Sequence, residues 1–176
     1  MSTDKLRIMI EEEKIKERID EICEEINRDF GDEPLIVISI LKGSFIFTAD
    51  VVRKLKMPVE VHFMKVSSYG GGTKTSGTVA VKLDIDRDIT GKNVLIIEDI
   101  IDSGYTMQEV RKMLTARGAK VLKLCSCLSK PSRREVPVEI EYLGFEIPDE
   151  FVVGYGLDYD EKYRNLPYIG VVEISE

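Results

Sequence analysis

The chain has 176 residues, with 32 acidic and 25 basic side chains and a formal net charge of -7. This length predicts a single domain, residues 1–176, with a substantial core. The acidic surplus argues against a protein whose main task is to grip a nucleic acid backbone. The longest apolar stretch, residues 35–41, falls far short of the ~20 residues of a membrane-spanning helix, and the first residues lack the apolar core of a signal peptide. We therefore expect a cytoplasmic protein that has neither a nucleic acid nor a membrane as its partner.

The first third of the chain predicts a helix, a buried strand and a second helix. An apolar stripe at helical spacing between residues 15 and 26 predicts an amphipathic helix. The continuously apolar residues 35–40 predict a central strand that is buried on both faces. A turn at residues 41–44 follows, and Ser44 is predicted to cap a helix that runs to about Lys56.

The middle of the chain predicts three strands and a helix. Residues 59–63 and 79–85 alternate between apolar and polar side chains, which is typical of strands. Between them, the glycine-rich residues 67–77 predict a mobile segment. A second fully apolar strand at residues 94–97 leads into a helix at about residues 106–117.

The last third predicts one long strand and several short ones. Residues 119–128 form a strand, residues 130–134 a basic loop, and short strands are expected at 138–145, 151–155 and 169–174. Buried strands separated by helices predict an α/β fold with a mainly parallel sheet. In such sheets ligands bind at the carboxyl ends of the strands.

The three cysteines are Cys23, Cys125 and Cys127. Their number is odd, and two of them alternate with polar neighbours inside a predicted strand. A structural metal site needs more ligands than these cysteines supply. We therefore expect reduced thiols in the core.

The strand at residues 94–97 leads directly into polar residues that indicate a functional site. Three carboxylates come first, followed by a glycine-containing turn with two hydroxyls at a predicted helix N-terminus: Glu98, Asp99, Asp102, Ser103, Gly104 and Thr106. The backbone N–H groups of a helix N-terminus favour a phosphate. The carboxylates would repel that phosphate without a cation, and Mg²⁺ is suited to the role because it takes one or two carboxylates together with substrate oxygens. In the alternative reading, Asp102 or Ser103 only caps the helix.

This stretch resembles the phosphoribosyl diphosphate (PRPP) binding motif of the type I phosphoribosyltransferase family. Residues 41–43, residues 151–158 and Arg164 resemble further motifs of its hypoxanthine and hypoxanthine-guanine members. The resemblance implies a mainly parallel central sheet flanked by helices, a small hood formed by the terminal segments and a flexible lid hairpin. It also implies a Mg²⁺-dependent transfer of the phosphoribosyl group of PRPP to N9 of hypoxanthine or guanine, which gives IMP or GMP and pyrophosphate.

The resemblance implies roles for the residues of the PRPP motif. Asp102 would be the general base that handles the proton on purine N7 while N9 attacks the sugar. Glu98 and Asp99 would hold the ribose hydroxyls and part of the metal shell. The residues implied for the ribose and the 5′-phosphate are Glu98, Asp99, Asp102, Ser103, Gly104, Tyr105 and Thr106.

The resemblance implies that other segments complete the site. The residues implied for pyrophosphate are Lys42, Gly43 and Arg164, those for the purine are Lys130, Phe151, Val152 and Asp158, and those for the metal are Glu98, Asp99 and Asp158. An ammonium group at Lys130 favours a 6-oxo group over a 6-amino group, because the amino group cannot accept its hydrogen bond. Phe151 would stack on the base, and the backbone of Val152 would read the ring edge. Ser68 and Tyr69 would lie at the working end of the lid.

Two other interpretations stay open. The same fold serves non-catalytic, nucleotide-sensing regulators, although a repressor would need an extra DNA-binding segment and an RNA-binding form would need a basic face. A phosphoribosyltransferase that prefers xanthine or a pyrimidine is the second alternative, against which Lys130 and residues 151–158 argue for a 6-oxopurine. The resemblance further implies small-molecule substrates and a homodimer or homotetramer.

Overall fold

The structure, a computed structural model, describes residues 5–68 and 79–173. In chain order its elements are β1 (Lys5–Ile10), α1 (Glu12–Phe30), β2 (Leu35–Ile40), α2 (Phe45–Val52), β3 (Val59–Ser68), β4 (Val79–Leu83), β5 (Asn93–Ile101), α3 (Tyr105–Ala116), β6 (Val121–Ser129), a 3₁₀ turn (Pro131–Arg133), β7 (Tyr142–Glu146), β8 (Val152–Val153) and β9 (Ile169–Glu173). None of the helices in these two ranges is both long enough and apolar enough to cross a membrane.

A six-stranded sheet in the order β4-β3-β2-β5-β6-β7 forms the centre of the molecule. The strands from β3 to β7 run parallel, and the edge strand β4 runs antiparallel to β3. Every residue of β2 is buried, because α1 and α2 pack on one face of the sheet and α3 packs on the other. The predicted α/β fold with a mainly parallel sheet is confirmed.

A smaller antiparallel sheet in the order β1-β9-β8 joins the two ends of the described chain. Its apolar residues, including Ile10, Val152 and Ile169, share one buried cluster with Val37 and Leu95 of the central sheet. The predicted hood made of terminal segments is therefore confirmed. The strand β1 was not predicted, because Ile10 is its single buried residue and most of its other side chains are exposed.

The predicted helix cap at Ser44 is wrong. The Ser44 hydroxyl donates to Ile40 O at 2.6 Å and lies 2.8 Å from the hydroxyl oxygen of Ser39, so it makes no capping bond to the helix. The helix also ends at Val52 rather than near Lys56. Ser44 thus ties the turn after β2 back to the buried strand.

The hairpin of β3 and β4 presents an apolar face to the outside. Val61 and Phe63 of β3 and Val81 and Leu83 of β4 are 37% to 46% exposed. The strand predicted at residues 79–85 ends at Leu83. Ser68 is the last residue of β3 and pairs with Val79, whereas Tyr69 and most of the predicted lid lie outside the described residues.

The three cysteines are free and buried. Burial raises the pKa of the Cys23 thiol to about 11. The prediction of reduced core thiols is confirmed.

Candidate active site

The carboxyl ends of three neighbouring parallel strands meet at one edge of the central sheet. Lys42 and Gly43 follow β2, residues 98–106 form the end of β5 and its turn into α3, and Lys130 follows β6. The order β2-β5-β6 makes these ends neighbours. The backbone N–H of Lys130 donates to Ile101 O at 3.0 Å. The sheet therefore brings three of the predicted segments together.

Glu98 and Asp99 are adjacent at the end of β5, and each carboxylate also contacts a different segment of the site. Glu98 lines a cavity of about 170 Å³ together with the turn into α3. Asp99 lies against Gly43, so closely that a Cβ on this glycine would overlap Oδ2 of the carboxylate. Glu98 Oε1 accepts a hydrogen bond from the backbone N–H of Asp99 at 2.9 Å. The two acids therefore serve different parts of the site.

The environment of these two acids favours a cation. Burial raises the pKa of the Glu98 carboxyl well above its usual range, and the adjacent Asp99 charge raises it further. Burial also raises the pKa of Asp99. Within residues 5–68 and 79–173, no three His, Cys, Asp or Glu side chains are grouped as a closed metal cage. This donor set fits a divalent cation held by one or two carboxylates and completed by substrate oxygens and water.

The turn from β5 into α3, residues 102–106, is called the amide cradle below. The helix begins at Tyr105, directly after Gly104, whose φ of 95° is in the left-handed region that favours glycine. Among the described residues no side chain caps this helix, so the alternative in which Asp102 or Ser103 acts only as a cap is wrong. The N–H groups of the first turn stay open to an anion.

Arg134 fixes the amide cradle from the outside. Its Nε donates to Asp102 O at 3.0 Å, and its Nη2 donates to Ser129 Oγ at 2.6 Å. The backbone N–H of Glu135 donates to Ser103 O at 3.0 Å. From the sequence, Arg134 was predicted only as part of a basic loop, because a contact across 32 residues leaves no local pattern.

A second group of residues, called the cation corner below, gathers on the Asp99 side of the sheet. It consists of Lys42, Gly43, Asp99, Gly156 and Arg164. Arg164 Nη1 donates to Gly156 O at 2.7 Å. A Cβ on Gly156 would overlap Gly43 O, so the two glycines allow the two loops to touch. The peptide bond that precedes Lys42 is cis.

The cations of this corner have acidic neighbours. Arg164 Nη2 lies 3.3 Å from Asp158 Oδ1 and 3.4 Å from Glu161 Oε1. Lys42 Nζ lies 3.2 Å from Glu161 Oε2. The structure thus places the predicted metal ligand Asp158 beside Arg164. Glu161 was not singled out in the sequence, because its partner Lys42 is 119 residues away.

An ammonium group and an aromatic ring flank the remaining side of the site. Lys130 is buried, and its Nζ lies 3.9 Å from Asp102 Oδ1 and 3.6 Å from Asp149 Oδ1. Phe151 is 51% exposed, which excludes ordinary core packing as its role. Its ring meets that of Tyr159 edge to face, with the centroids 5.5 Å apart. Asp149 and Tyr159 were not predicted as members of the site.

The backbone N–H and C=O of Val152 point away from β9, its neighbour in the hood sheet. The N–H of Val172 donates to Phe151 O, and β8 pairs Val152 with Val171. Antiparallel strands alternate between hydrogen-bonded and non-hydrogen-bonded pairs, so the N–H and C=O of Val152 point to the open edge of β8. Those groups remain available to a planar ligand.

Residues 9–160 match the phosphoribosyl transferase domain family. The chain belongs to the phosphoribosyltransferase family. The family and the transferase class predicted from the sequence are therefore confirmed. Arg164 lies just beyond the residues matched by the family model. Individual phosphoribosyltransferases align with 96% to 97% of this chain, a span that includes all residues of the cation corner.

These relatives are similar along nearly their entire length. A hypoxanthine phosphoribosyltransferase of Salmonella typhimurium is 51% identical over 97% of each chain, and one of Haemophilus influenzae is 49% identical over 96% of each chain. A crystal structure of a hypoxanthine-guanine phosphoribosyltransferase from Bacillus anthracis superposes with a TM-score of 0.92 at 49% identity, covering 97% of this chain and 99% of that one.

Proposed function

We propose that this phosphoribosyltransferase transfers the 5-phosphoribosyl group of PRPP to N9 of hypoxanthine, and also of guanine, in purine salvage. The products are IMP or GMP and pyrophosphate. One observation carries the proposal: an amide cradle, a cation corner and the buried ammonium of Lys130 lie at the ends of neighbouring strands of one sheet. These three parts suit a monophosphate, a pyrophosphate and an oxopurine, and the names of the relatives support the same reaction.

The amide cradle would hold the 5′-phosphate of PRPP. The residues assigned to this task are Ser103, Gly104, Tyr105 and Thr106. Their backbone N–H groups and the two hydroxyls supply donors, and the helix dipole adds a favourable field. Glu98, next to the cradle, and Asp99 would accept hydrogen bonds from the ribose hydroxyls.

The cation corner would hold the pyrophosphate group. Arg164 is planar and fixed by Gly156 O, so its remaining N–H groups suit phosphate oxygens. Lys42 adds a mobile charge, and Gly43 lets the backbone come close. As the bond between C1 of the ribose and the pyrophosphate oxygen breaks, these cations stabilise the charge that develops on the leaving group.

Asp102 would take the proton from the purine. When N9 forms its bond to C1, N7 loses its proton, and the half-exposed carboxylate of Asp102 accepts it. Lys130 Nζ lies near this carboxylate and would donate to the 6-oxo group, while Phe151 stacks on the ring and the backbone of Val152 reads its edge. A 6-amino group cannot accept from Lys130, so adenine would be rejected.

The divalent cation of the proposal is Mg²⁺, with Glu98, Asp99 and Asp158 as its candidate ligands, of which one or two would bind an ion together with substrate oxygens. It would neutralise part of the charge on PRPP and on the leaving pyrophosphate. The buried carboxylates and their raised pKa values support a bound cation. Removal of the metal with a chelator should therefore abolish turnover and weaken PRPP binding.

We further propose a closing lid and an oligomer. The β3–β4 hairpin would carry the lid, with Ser68 and Tyr69 at its working end, and would exclude water during the transfer. A homodimer or homotetramer is supported by the exposed apolar side chains on the same hairpin, with Phe63 the largest of them. Light scattering of the purified protein tests the assembly, and a monomer at all concentrations contradicts it.

A base-specificity assay tests the proposed reaction. The purified protein is mixed with PRPP and each of hypoxanthine, guanine, xanthine and adenine, with and without Mg²⁺. We expect pyrophosphate release and nucleoside monophosphate formation with hypoxanthine and guanine, only when Mg²⁺ is present. The absence of turnover with all four bases overturns the proposal and favours a nucleotide-sensing regulator.

A further inference from the structure

Glu161 bridges the two cations that are assigned to pyrophosphate. Its Oε2 lies 3.2 Å from Lys42 Nζ, and its Oε1 lies 3.4 Å from Arg164 Nη2. One carboxylate thus contacts both cations with its two separate oxygens. A pyrophosphate oxygen would have to make these same contacts.

We propose that Glu161 is a built-in competitor of the pyrophosphate group, which holds the cation corner in the absence of substrate and is displaced when PRPP or pyrophosphate binds. The inference rests on the proposed function, because it takes Lys42 and Arg164 as the pyrophosphate cations. It adds a residue that sets the affinity for the leaving group. Removal of the Glu161 charge should tighten binding of pyrophosphate, whereas loss of a ligand would weaken it.

The contacts of the corner make Glu161 the displaceable partner. Arg164 keeps two other contacts when Glu161 leaves, since its Nη1 donates to Gly156 O at 2.7 Å and its Nη2 lies 3.3 Å from Asp158 Oδ1. Among the described residues, Glu161 is the single ion-pair partner of Lys42. The side chain of Glu161 is 65% exposed, so the carboxylate returns to water at little cost when a phosphate takes its place.

The loop around Glu161 directs its side chain to the corner. Asp160 and Glu161 have φ values of 52° and 62°, in the left-handed region that costs free energy for residues other than glycine. The conformation is held by a tight hairpin in which Tyr159 and Lys162 exchange backbone hydrogen bonds of 3.1 and 3.0 Å. The backbone N–H of Glu161 also donates to Asp158 Oδ2 at 2.9 Å. The loop therefore fixes the backbone position from which the Glu161 side chain extends to Lys42 and Arg164.

The competition should depend on the ligand. PRPP and pyrophosphate both need the contacts that Glu161 occupies, so both must displace it. IMP carries a 5′-phosphate but no pyrophosphate, and it leaves the contacts of Glu161 intact. A change at Glu161 should therefore alter the affinity for PRPP and pyrophosphate and leave the affinity for IMP unchanged.

Titration calorimetry with pyrophosphate in the presence of Mg²⁺ tests the inference on Glu161→Gln. We expect the dissociation constant of pyrophosphate to fall about three- to tenfold, as the loss of two exposed ion pairs would give. The dissociation constant of IMP should stay within about twofold. The matched control is Asp160→Asn, which removes the same charge one residue away, where the side chain is 81% exposed and reaches only Lys162 at 3.7 Å among the described residues. The control should bind pyrophosphate as the unmodified chain does.

Unchanged or weaker pyrophosphate binding in Glu161→Gln overturns the inference, and so does equal tightening in Asp160→Asn, which would indicate a general charge effect. Arg164→Ala separates this failure from failure of the proposed function. If Arg164→Ala weakens pyrophosphate binding while Glu161→Gln leaves it unchanged, the pyrophosphate subsite stands and only the competitor role is lost. If Arg164→Ala has no effect on pyrophosphate binding, the subsite assignment and the inference both fall.

Discussion

The amide cradle and the cation corner present donors to anionic groups in two different ways. The cradle consists of the consecutive residues 102–106, at the start of α3. The corner takes its groups from the turn after β2, the end of β5 and the loop between β8 and β9. Backbone N–H groups act in the cradle, and side-chain cations act in the corner. The cradle is therefore formed by one short segment of the sequence, whereas the corner forms only when folding brings three distant segments together.

Because of this difference, the contributions of the cradle and the corner to binding can be measured separately with different ligands. Of the two phosphate groups, IMP carries only the one assigned to the cradle, pyrophosphate carries only the one assigned to the corner, and PRPP carries both. A change in one region should alter the affinity of two of these ligands and spare the third. Each prediction below uses that pattern, from the largest expected effect to the smallest.

Asp102→Asn should have the largest effect, because it removes the proton acceptor and leaves both anion-binding regions in place. We expect turnover to fall about 100- to 10,000-fold, while the dissociation constant of PRPP stays within about threefold. Steady-state kinetics and calorimetry measure the two quantities. Asp32→Asn, in an exposed position after α1, serves as the control. Unchanged turnover in Asp102→Asn would contradict its assignment as the base.

Gly43→Ala should damage the corner alone. The new methyl group would overlap Asp99 Oδ2, and forced overlap in a packed site weakens PRPP and pyrophosphate binding by about 10- to 100-fold. IMP binding should weaken less, because IMP lacks the pyrophosphate and shares only the ribose contact of Asp99 with PRPP. Gly91→Ala is a control for general destabilisation, because its φ of 69° makes alanine strained there, while no heavy atom lies within 4 Å of the added Cβ. An equal loss for IMP and pyrophosphate would show that the two regions do not act separately.

Lys130→Ala tests the purine side, which lies outside both anion-binding regions. We expect the preference for hypoxanthine over adenine, measured as the ratio of kcat/KM values, to fall at least about tenfold. Binding of pyrophosphate should be unaffected. The exposed Lys120→Ala is the control. A variant that still strongly prefers hypoxanthine would contradict the assignment of Lys130.

Thr106→Val should weaken the cradle by removing one donor to the 5′-phosphate. A hydrogen bond to a charged group is worth enough that IMP and PRPP binding should each weaken about tenfold. Pyrophosphate binding should not change. Thr115→Val, at an exposed position on the same helix, controls for helix propensity. Loss of pyrophosphate affinity in Thr106→Val would place the two phosphate groups the other way round.

The same difference decides what could be predicted from the sequence. Strand β5, the cradle and α3 were predicted because periodicity and turn residues are local signals. The corner residues were assigned through a family resemblance, and the contact of Gly43 with Asp99 and Gly156 has no local signal. Arg134 and Glu161 were missed for the same reason, since both act on residues distant in the sequence.

Long-range structure also explains the wrong cap at Ser44 and the exposed face of β3, for which no prediction was made. Ser44 precedes an apolar helix and resembles an N-cap, but the buried Ser39 and the carbonyl of Ile40 compete for its hydroxyl. The alternation in β3 predicts a strand correctly, but it does not reveal that Val61 and Phe63 face outward. Only the position of β3 beside the edge strand decides that.

A crystal structure of the chain with PRPP and Mg²⁺, in the absence of purine, tests the central claim most directly. We expect the 5′-phosphate on the N–H groups of residues 103–106 and the pyrophosphate between Lys42 and Arg164, with Glu161 displaced. A pyrophosphate group bound at the cradle, or bound without contact to Lys42 and Arg164, would contradict it.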